Sequence, residues 1–144
     1  LYAITGGRPR EIEVMHAPTL NEAPSYGAWF SRGIKLSLKD RDVLFVSGTA
    51  SIDSSGKVIH KGDIEGQVHR MFLNVQKLLS GQGATMGDIV TGATYLKHKE
   101  HFEAFYKVCR ERSIPMGFPN TVTFADVCRP DWLCEIEVTA VCSK

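Results

Sequence analysis

The sequence has no excess of either charge, no long apolar run and no paired-cysteine motif. Lys and Arg number 17 against 16 Asp and Glu, a net charge of +1. The two signs are interspersed, and the longest cluster, Lys97-His98-Lys99-Glu100-His101, reads as the solvated entry to a helix. A general nucleic-acid binder shows a basic stripe; its absence argues against nucleic acid as a partner. No apolar stretch approaches the ~20 residues of a membrane span, so no membrane partner is expected. Leu1 to Arg10 is rich in Gly and Arg rather than apolar, unlike a secretory signal. The first residue is Leu rather than Met, which suits a segment cut from a longer protein. The four cysteines, Cys109, Cys128, Cys134 and Cys142, include no CxxC pair of the kind that holds zinc. Cys134 and Cys142 fall on the apolar face of one predicted strand, where a free thiol behaves as a small hydrophobe. The expected setting is reducing and cytoplasmic.

What is present is an ordinary core: 144 residues, 43% of them hydrophobic, enough for one domain without staples. Residues 1–10 read as a lead-in to a single domain at 11–144. A short strand is predicted at Glu11 to Met15, then a loop marked by Pro18, Asn21, Pro24 and Ser25. Residues 28–36 and 43–50 flank the charged turn Lys39 to Asp42 and form a predicted hairpin, followed by a short strand at Lys57 to His60. The clearest element is a helix with Asp63 as N-cap, carrying Ile64, Val68, Met71, Phe72, Val75, Leu78 and Leu79 at helical spacing and ending at Gly81 and Gly83. The glycines that follow do not form a dinucleotide loop, because that fingerprint must follow a strand. A strand at Ile89 to Leu96, a helix from about Glu100 to Arg112, and strands at Thr121 to Val127 and Leu133 to Val141 complete the order. The class is α+β: a five- to six-stranded, mostly antiparallel sheet with two helices packed on one face.

Two helices cover only one face of such a sheet. In the last strand Cys134, Ile136, Val138, Ala140 and Cys142 belong under the helices, while Glu135, Glu137, Thr139 and Val141 point the other way. The second face is therefore either solvated or shared between copies, and carboxylates on it make natural ligand sites.

Several strings, in order and spacing, resemble the RidA/YjgF family (L-PSP endoribonuclease-like) over residues 12–142. They are Phe30-Ser31-Arg32-Gly33, Leu44-Phe45-Val46-Ser47-Gly48, Gly62-Asp63-Ile64-Glu65-Gly66-Gln67, Asn74-Val75, Gly83-Ala84, Asp88-Ile89-Val90 and Glu135-Ile136-Glu137. The resemblance implies a chorismate-mutase-like fold, a homotrimer, and small-molecule clefts between subunits. It also implies hydrolysis of enamine and imine intermediates to a 2-keto acid and ammonia, without metal or cofactor. That chemistry uses a bidentate Arg for the substrate carboxylate, a backbone group at the Gly48 position, and a carboxylate to handle the proton of water.

One departure stands out. The family's arginine lies fifteen residues before the first Glu of its ending, and here that position is Asn120, ahead of Glu135. Asn hydrogen-bonds a carboxylate without neutralising it, and losing a desolvated charged pair costs roughly 2–5 kcal/mol. Phe30 replaces the family's ring-stacking Tyr, with Tyr26 able to substitute if its loop folds back. Standard imine deamination is thus not expected at full strength. Replacement cations are Arg32, Arg129 and Lys97. The strings at 47–52 and 128–135 are more like those of chorismatases, enol-ether hydrolases about twice this length; in that comparison Glu135 donates the proton, Cys128 lines the pocket, and Arg32 or Arg129 clamps a carboxylate.

The expected site is therefore Glu135 as the catalytic group, with Phe30, Arg32, Gly48, Tyr95, Asn120, Cys128 and Arg129 around a small carboxylate ligand, and no metal. Glu137 reads as an ion-paired interface residue. His98 and His101, three apart, lack a third metal ligand, and Trp29 and Trp132 read as interface packing. The rival readings are a non-catalytic ligand-binding or interaction domain of a larger protein and an endoribonuclease, the label the family carries.

Overall fold

A computed structural model describes residues 8–114 and 118–144; residues 1–7 of the expected lead-in lie outside the described residues. The strands are β1 (Ile12–Met15), β2 (Gly33–Ser37), β3 (Arg41–Ala50), β4 (Ile89–Leu96), β5 (Asn120–Phe124) and β6 (Cys134–Ser143). Helix α1 (Ile64–Ser80) lies between β3 and β4, and α2 (His101–Glu111) between β4 and β5. They form one sheet in the order β1-β2-β3-β6-β4-β5. Every pairing is antiparallel except β4 with β5, which α2 links as a crossover.

Helix α1 begins where Asp63 Oδ1 accepts the Gly66 N–H at 3.0 Å, satisfying one of the donors that a helix start leaves open. Its stripe of Val68, Met71, Phe72, Val75, Leu78 and Leu79 is fully buried against β3, β6 and α2. Phe72 meets Phe105 of α2 with ring centroids 5.8 Å apart. Along β6, Cys134, Ile136, Val138 and Ala140 are buried in the same core.

Two expected strand segments are not strands. Residues 28–32 lie outside the hairpin, and β2 starts only at Gly33. The chain folds back through a 3₁₀ turn at Ala23–Tyr26 that closes on Gly27 at φ 82°, and the Ala28 N–H donates to Ala23 O at 3.2 Å. The expected strand at Lys57 to His60 reduces to a single bridge between Ile52 and Val58. There Asp53 Oδ1 accepts from the N–H groups of Ser55 and Lys57, and Gly56 takes φ +77°, so the chain turns too tightly to extend a ladder.

Cross-strand partners share a face, so the registers assign the uncovered side. Ile12, Val14, Ile34, Leu36, Val43 and Phe45 form an apolar half across β1, β2 and β3. Each is half-buried except Val14, which is exposed. Glu135, Glu137, Thr139, Tyr95, Thr121 and Thr123 form a polar half across β6, β4 and β5.

Buried amides join the helical layer to the sheet end that carries this polar half. Gln67 donates from Nε2 to His60 O at 3.2 Å and Asp131 O at 2.9 Å, and its Oε1 accepts from Leu133 N–H at 2.9 Å. Asn74 Nδ2 donates to Ala50 O and Ile52 O, both at 3.1 Å. Replacing Gln67 by Leu strands three backbone groups, each worth about 1–3 kcal/mol when buried and unpaired. Gln67→Leu is expected to lose about 3 kcal/mol in urea unfolding at an unchanged m-value; a loss under about 0.5 kcal/mol would contradict this anchoring role.

Candidate functional site

The site is organised by a break in the β3–β6 ladder. Register shifts between Val46 and Thr49, where Ser47 turns aside: its N–H donates to Arg32 O at 3.0 Å and its hydroxyl to Ser31 O at 2.6 Å. Gly48 sits in this bulge. A Cβ there would lie 2.2 Å from Glu135 Oε1, so the missing side chain is the space the Glu135 carboxyl occupies. Tyr95 stands directly opposite Glu135 on β4, and its hydroxyl donates to Glu137 Oε1 at 3.2 Å.

Burial raises the Glu135 pKa above the usual carboxylate range; the neighbouring negative charge of Glu137 adds to the rise, and the Arg32 guanidinium opposes it. Among the described residues no basic group lies within 4.0 Å of it. A carboxyl that holds its proton longer is equipped for general acid and base work.

A second feature runs around the end of the sheet. Arg32 Cζ lies 5.3 Å from the Phe30 ring and 5.5 Å from the Tyr26 ring. Arg129 Cζ lies 5.4 Å from the same Tyr26 ring and 5.1 Å from Trp132. Phe30, Arg32, Tyr26, Arg129 and Trp132 thus alternate ring and guanidinium, an arrangement stabilised by cation–π attraction. Arg32 donates from Nε to Asn21 O at 2.8 Å and from Nη2 to Asn21 Oδ1 at 3.0 Å. Arg129 donates from Nη1 to Gly56 O at 2.8 Å.

The expected residues therefore fall into separate groups. Gly48, Tyr95 and Glu135 come together on the uncovered face. Phe30, Arg32 and Arg129 belong to the ladder of rings and cations, and Cys128 is exposed beside it. Arg32 is only 3% exposed, which places it behind the loop rather than open to a ligand. Asn120 pairs with Gly92, on the helix-side row with Val138, and its Oδ1 accepts from the Thr94 hydroxyl at 3.1 Å. It lies on the opposite face of the sheet from Glu135. Glu137 is not ion-paired among the described residues; Tyr95 is its partner.

Lys97 donates to Pro130 O at 2.6 Å. His98 and His101 meet edge to face with ring centroids 5.1 Å apart, and burial first, then His98, lowers the His101 pKa. Trp29 is 98% exposed, whereas Trp132 is buried. Among the described residues no three His, Cys, Asp or Glu side chains converge as metal ligands, and no helix is long and apolar enough to cross a membrane. Asn21 and Gly56, the hydrogen-bond partners of the arginines, lay beyond sequence reasoning, because no periodicity links positions 11 and 73 residues apart; only the Pro and Asn of the 18–25 loop hinted that it folds back.

The sequence profile of the Endoribonuclease L-PSP family matches residues 21–142. A RutC family protein of Sulfurisphaera tokodaii is 30% identical over 125 residues, covering 85% of this chain and 94% of its own. Another, from Pyrococcus abyssi, is 32% identical over 90 residues, covering 62% and 68%. The chain belongs to this family, also known as RidA/YjgF. Among solved structures, a chorismatase superposes with TM-score 0.81 at 22% identity over 94% of this chain but 44% of its own. An Entamoeba histolytica protein described as an endoribonuclease L-PSP gives 0.76 at 20% identity, over 91% and 99%. Escherichia coli TdcF with bound serine gives 0.74 at 18%, over 91% and 99%. These likenesses carry the fold.

Two results are expected at the bulge. Gly48→Ala pushes the Glu135 carboxyl into water and returns its pKa toward the usual range, read from the carboxyl carbon in an NMR titration; an unmoved titration contradicts the contact. For stability, a raised carboxylate pKa means that the folded protein binds more protons than the unfolded chain between the two values, so stability falls as pH rises through that window. Glu135→Gln removes this penalty. Its melting temperature at pH 7 is expected to exceed the parent's by a few degrees, with the gain fading as pH falls from the raised Glu135 value to the ordinary Glu value.

Proposed function

We propose that the chain forms a homotrimer whose inter-subunit clefts bind a small carboxylate metabolite, and that Glu135 transfers protons in its cofactor-independent hydrolysis. The observation that carries the chemical part is the Glu135 carboxyl seated over Gly48. The apolar half of the uncovered face supports the assembly, since side chains from Ile12 to Phe45 that the helices leave half-open need a second surface.

In this reading the protonated Glu135 donates to the nitrogen or oxygen that must leave, and its carboxylate then takes a proton from the attacking water. For a 2-imino acid, water adds to the C=N carbon and the C–N bond breaks, leaving a 2-keto acid and ammonia. Tyr95 keeps Glu137 fixed as the neighbouring negative charge. Asn120 begins the edge strand β5, so the opposite wall of its cleft comes from a second copy. Because Asn120 lacks a charge, 2-imino acids are weak substrates here.

Two experiments test this. Light scattering on the native protein is expected to give three times the 15.9 kDa chain mass, and Phe45→Glu, which places a charge in the apolar half, is expected to yield single chains; a native monomer overturns the assembly. In an assay that generates 2-imino acids in situ with an amino-acid oxidase, the native protein is expected to accelerate hydrolysis modestly and Asn120→Arg to raise the rate. Adding Glu135→Gln to that variant is expected to cost about a hundredfold or more. Turnover unaffected by Glu135→Gln removes Glu135 from the mechanism, and saturable binding with no product over long incubation makes the chain a ligand-binding module instead.

A further inference from the structure

The arginines of the ladder look alike in sequence but differ in their uncommitted hydrogens. A guanidinium presents five N–H donors, and the edge formed by Nε and Nη2 is one that grips a planar oxyanion with two parallel bonds. In Arg32 that edge is filled, because Nε and Nη2 both donate to Asn21. In Arg129 the protein takes only Nη1, through Gly56 O; among the described residues nothing accepts from its Nε or Nη2. No carboxylate lies within 4.0 Å of either guanidinium among the described residues.

The other cations around this segment are committed. Lys61 pairs with Asp131 at 2.7 Å, and Lys97 donates to Pro130 O at 2.6 Å. Arg32 is buried, whereas Arg129 is partly open to solvent. Its backbone is also held still: Trp132 N–H donates to Arg129 O at 3.0 Å, and Gln67 ties Asp131 and Leu133 to α1. Tyr26 and Trp132 on its sides restrict the guanidinium and exclude water from it. A fixed, partly desolvated cation with a free fork and no counter-ion lacks only its anion.

We infer that Arg129 is the oxyanion-binding residue of this protein, its Nε–Nη2 edge receiving the carboxylate of a small organic acid. This deepens the reading above, on which it rests for the class of ligand. It also assigns the missing positive charge to the segment before β6 instead of the start of β5. Arg32 becomes a positioning residue that orders the Tyr26 loop beneath Arg129. The same fork would accept a phosphate, so the test separates the two.

The native oligomer, labelled with ¹⁵N, is titrated with pyruvate and separately with inorganic phosphate. Affinity is read by calorimetry and the contact by the Arg129 Nε–Hε resonance. Saturable pyruvate binding with a downfield shift of that resonance is expected, with phosphate weaker. Arg129→Gln is expected to weaken pyruvate at least about 30-fold, and Arg129→Lys, which keeps the charge and loses the fork, by an intermediate factor. Lys61→Gln, removing a neighbouring cation, is expected to change affinity less than about threefold. No saturable pyruvate binding, a resonance that does not move at saturation, unchanged affinity in Arg129→Gln, or phosphate binding more tightly than pyruvate each overturns the inference. Hydrolysis lost in Glu135→Gln together with unchanged pyruvate affinity in Arg129→Gln would leave the proposed function standing and this assignment refuted.

Discussion

A six-stranded sheet with its helices on one side has to do something with the other. Strand geometry sends successive side chains to opposite faces, so each residue that β6 buries under the helices brings a neighbour to the open face. Cys134, Ile136 and Val138 are core, and Glu135 and Glu137 therefore cannot be. The same alternation on β4 puts Tyr95 beside them and on β3 turns Phe45 outward. The core and the candidate site are two readings of one pleat. A slip of one residue in β6 would destroy both.

The open face is not uniform, and its chemistry comes from a local defect. Any side chain at position 48 would occupy the space over Glu135; the glycine in the bulge leaves it open, and the carboxyl folds into it. The sheet itself then desolvates the acid. Glu137 pushes its pKa upward while Arg32 pulls downward, and the balance depends on how near Arg32 is allowed to come. Asn21, Phe30 and Tyr26 occupy the guanidinium with neutral oxygens and ring faces. A direct ion pair would have held Glu135 ionised. The loop ahead of β2 keeps the positive charge close without letting it neutralise the acid.

The loops at this end act as one unit. The ladder crosses from the 21–32 loop to the segment before β6, Gly56 joins it through Arg129, and Gln67 secures the whole to α1. A buried amide bonded through both its nitrogen and its oxygen, as Gln67 is, fixes geometry as well as adding stability.

Sequence alone determined the elements that depend on local period. Helix α1 follows from a stripe at helical spacing behind Asp63, and β6 from strict alternation, because in each case one face must leave water regardless of what covers it. Glu135 was legible for the same reason, as a carboxylate on the polar side of an otherwise apolar strand. The string from Ala28 to Arg32 reads equally well as strand, since aromatic residues favour extended chain. Only the tertiary structure decided against it: Phe30 packs on the Arg32 guanidinium, and the turn just before it sets Tyr26 between Arg32 and Arg129, a hundred residues away. The assignment of roles to Arg32 and Arg129 was likewise out of reach of sequence, for a guanidinium's function depends on which of its hydrogens the fold has already claimed.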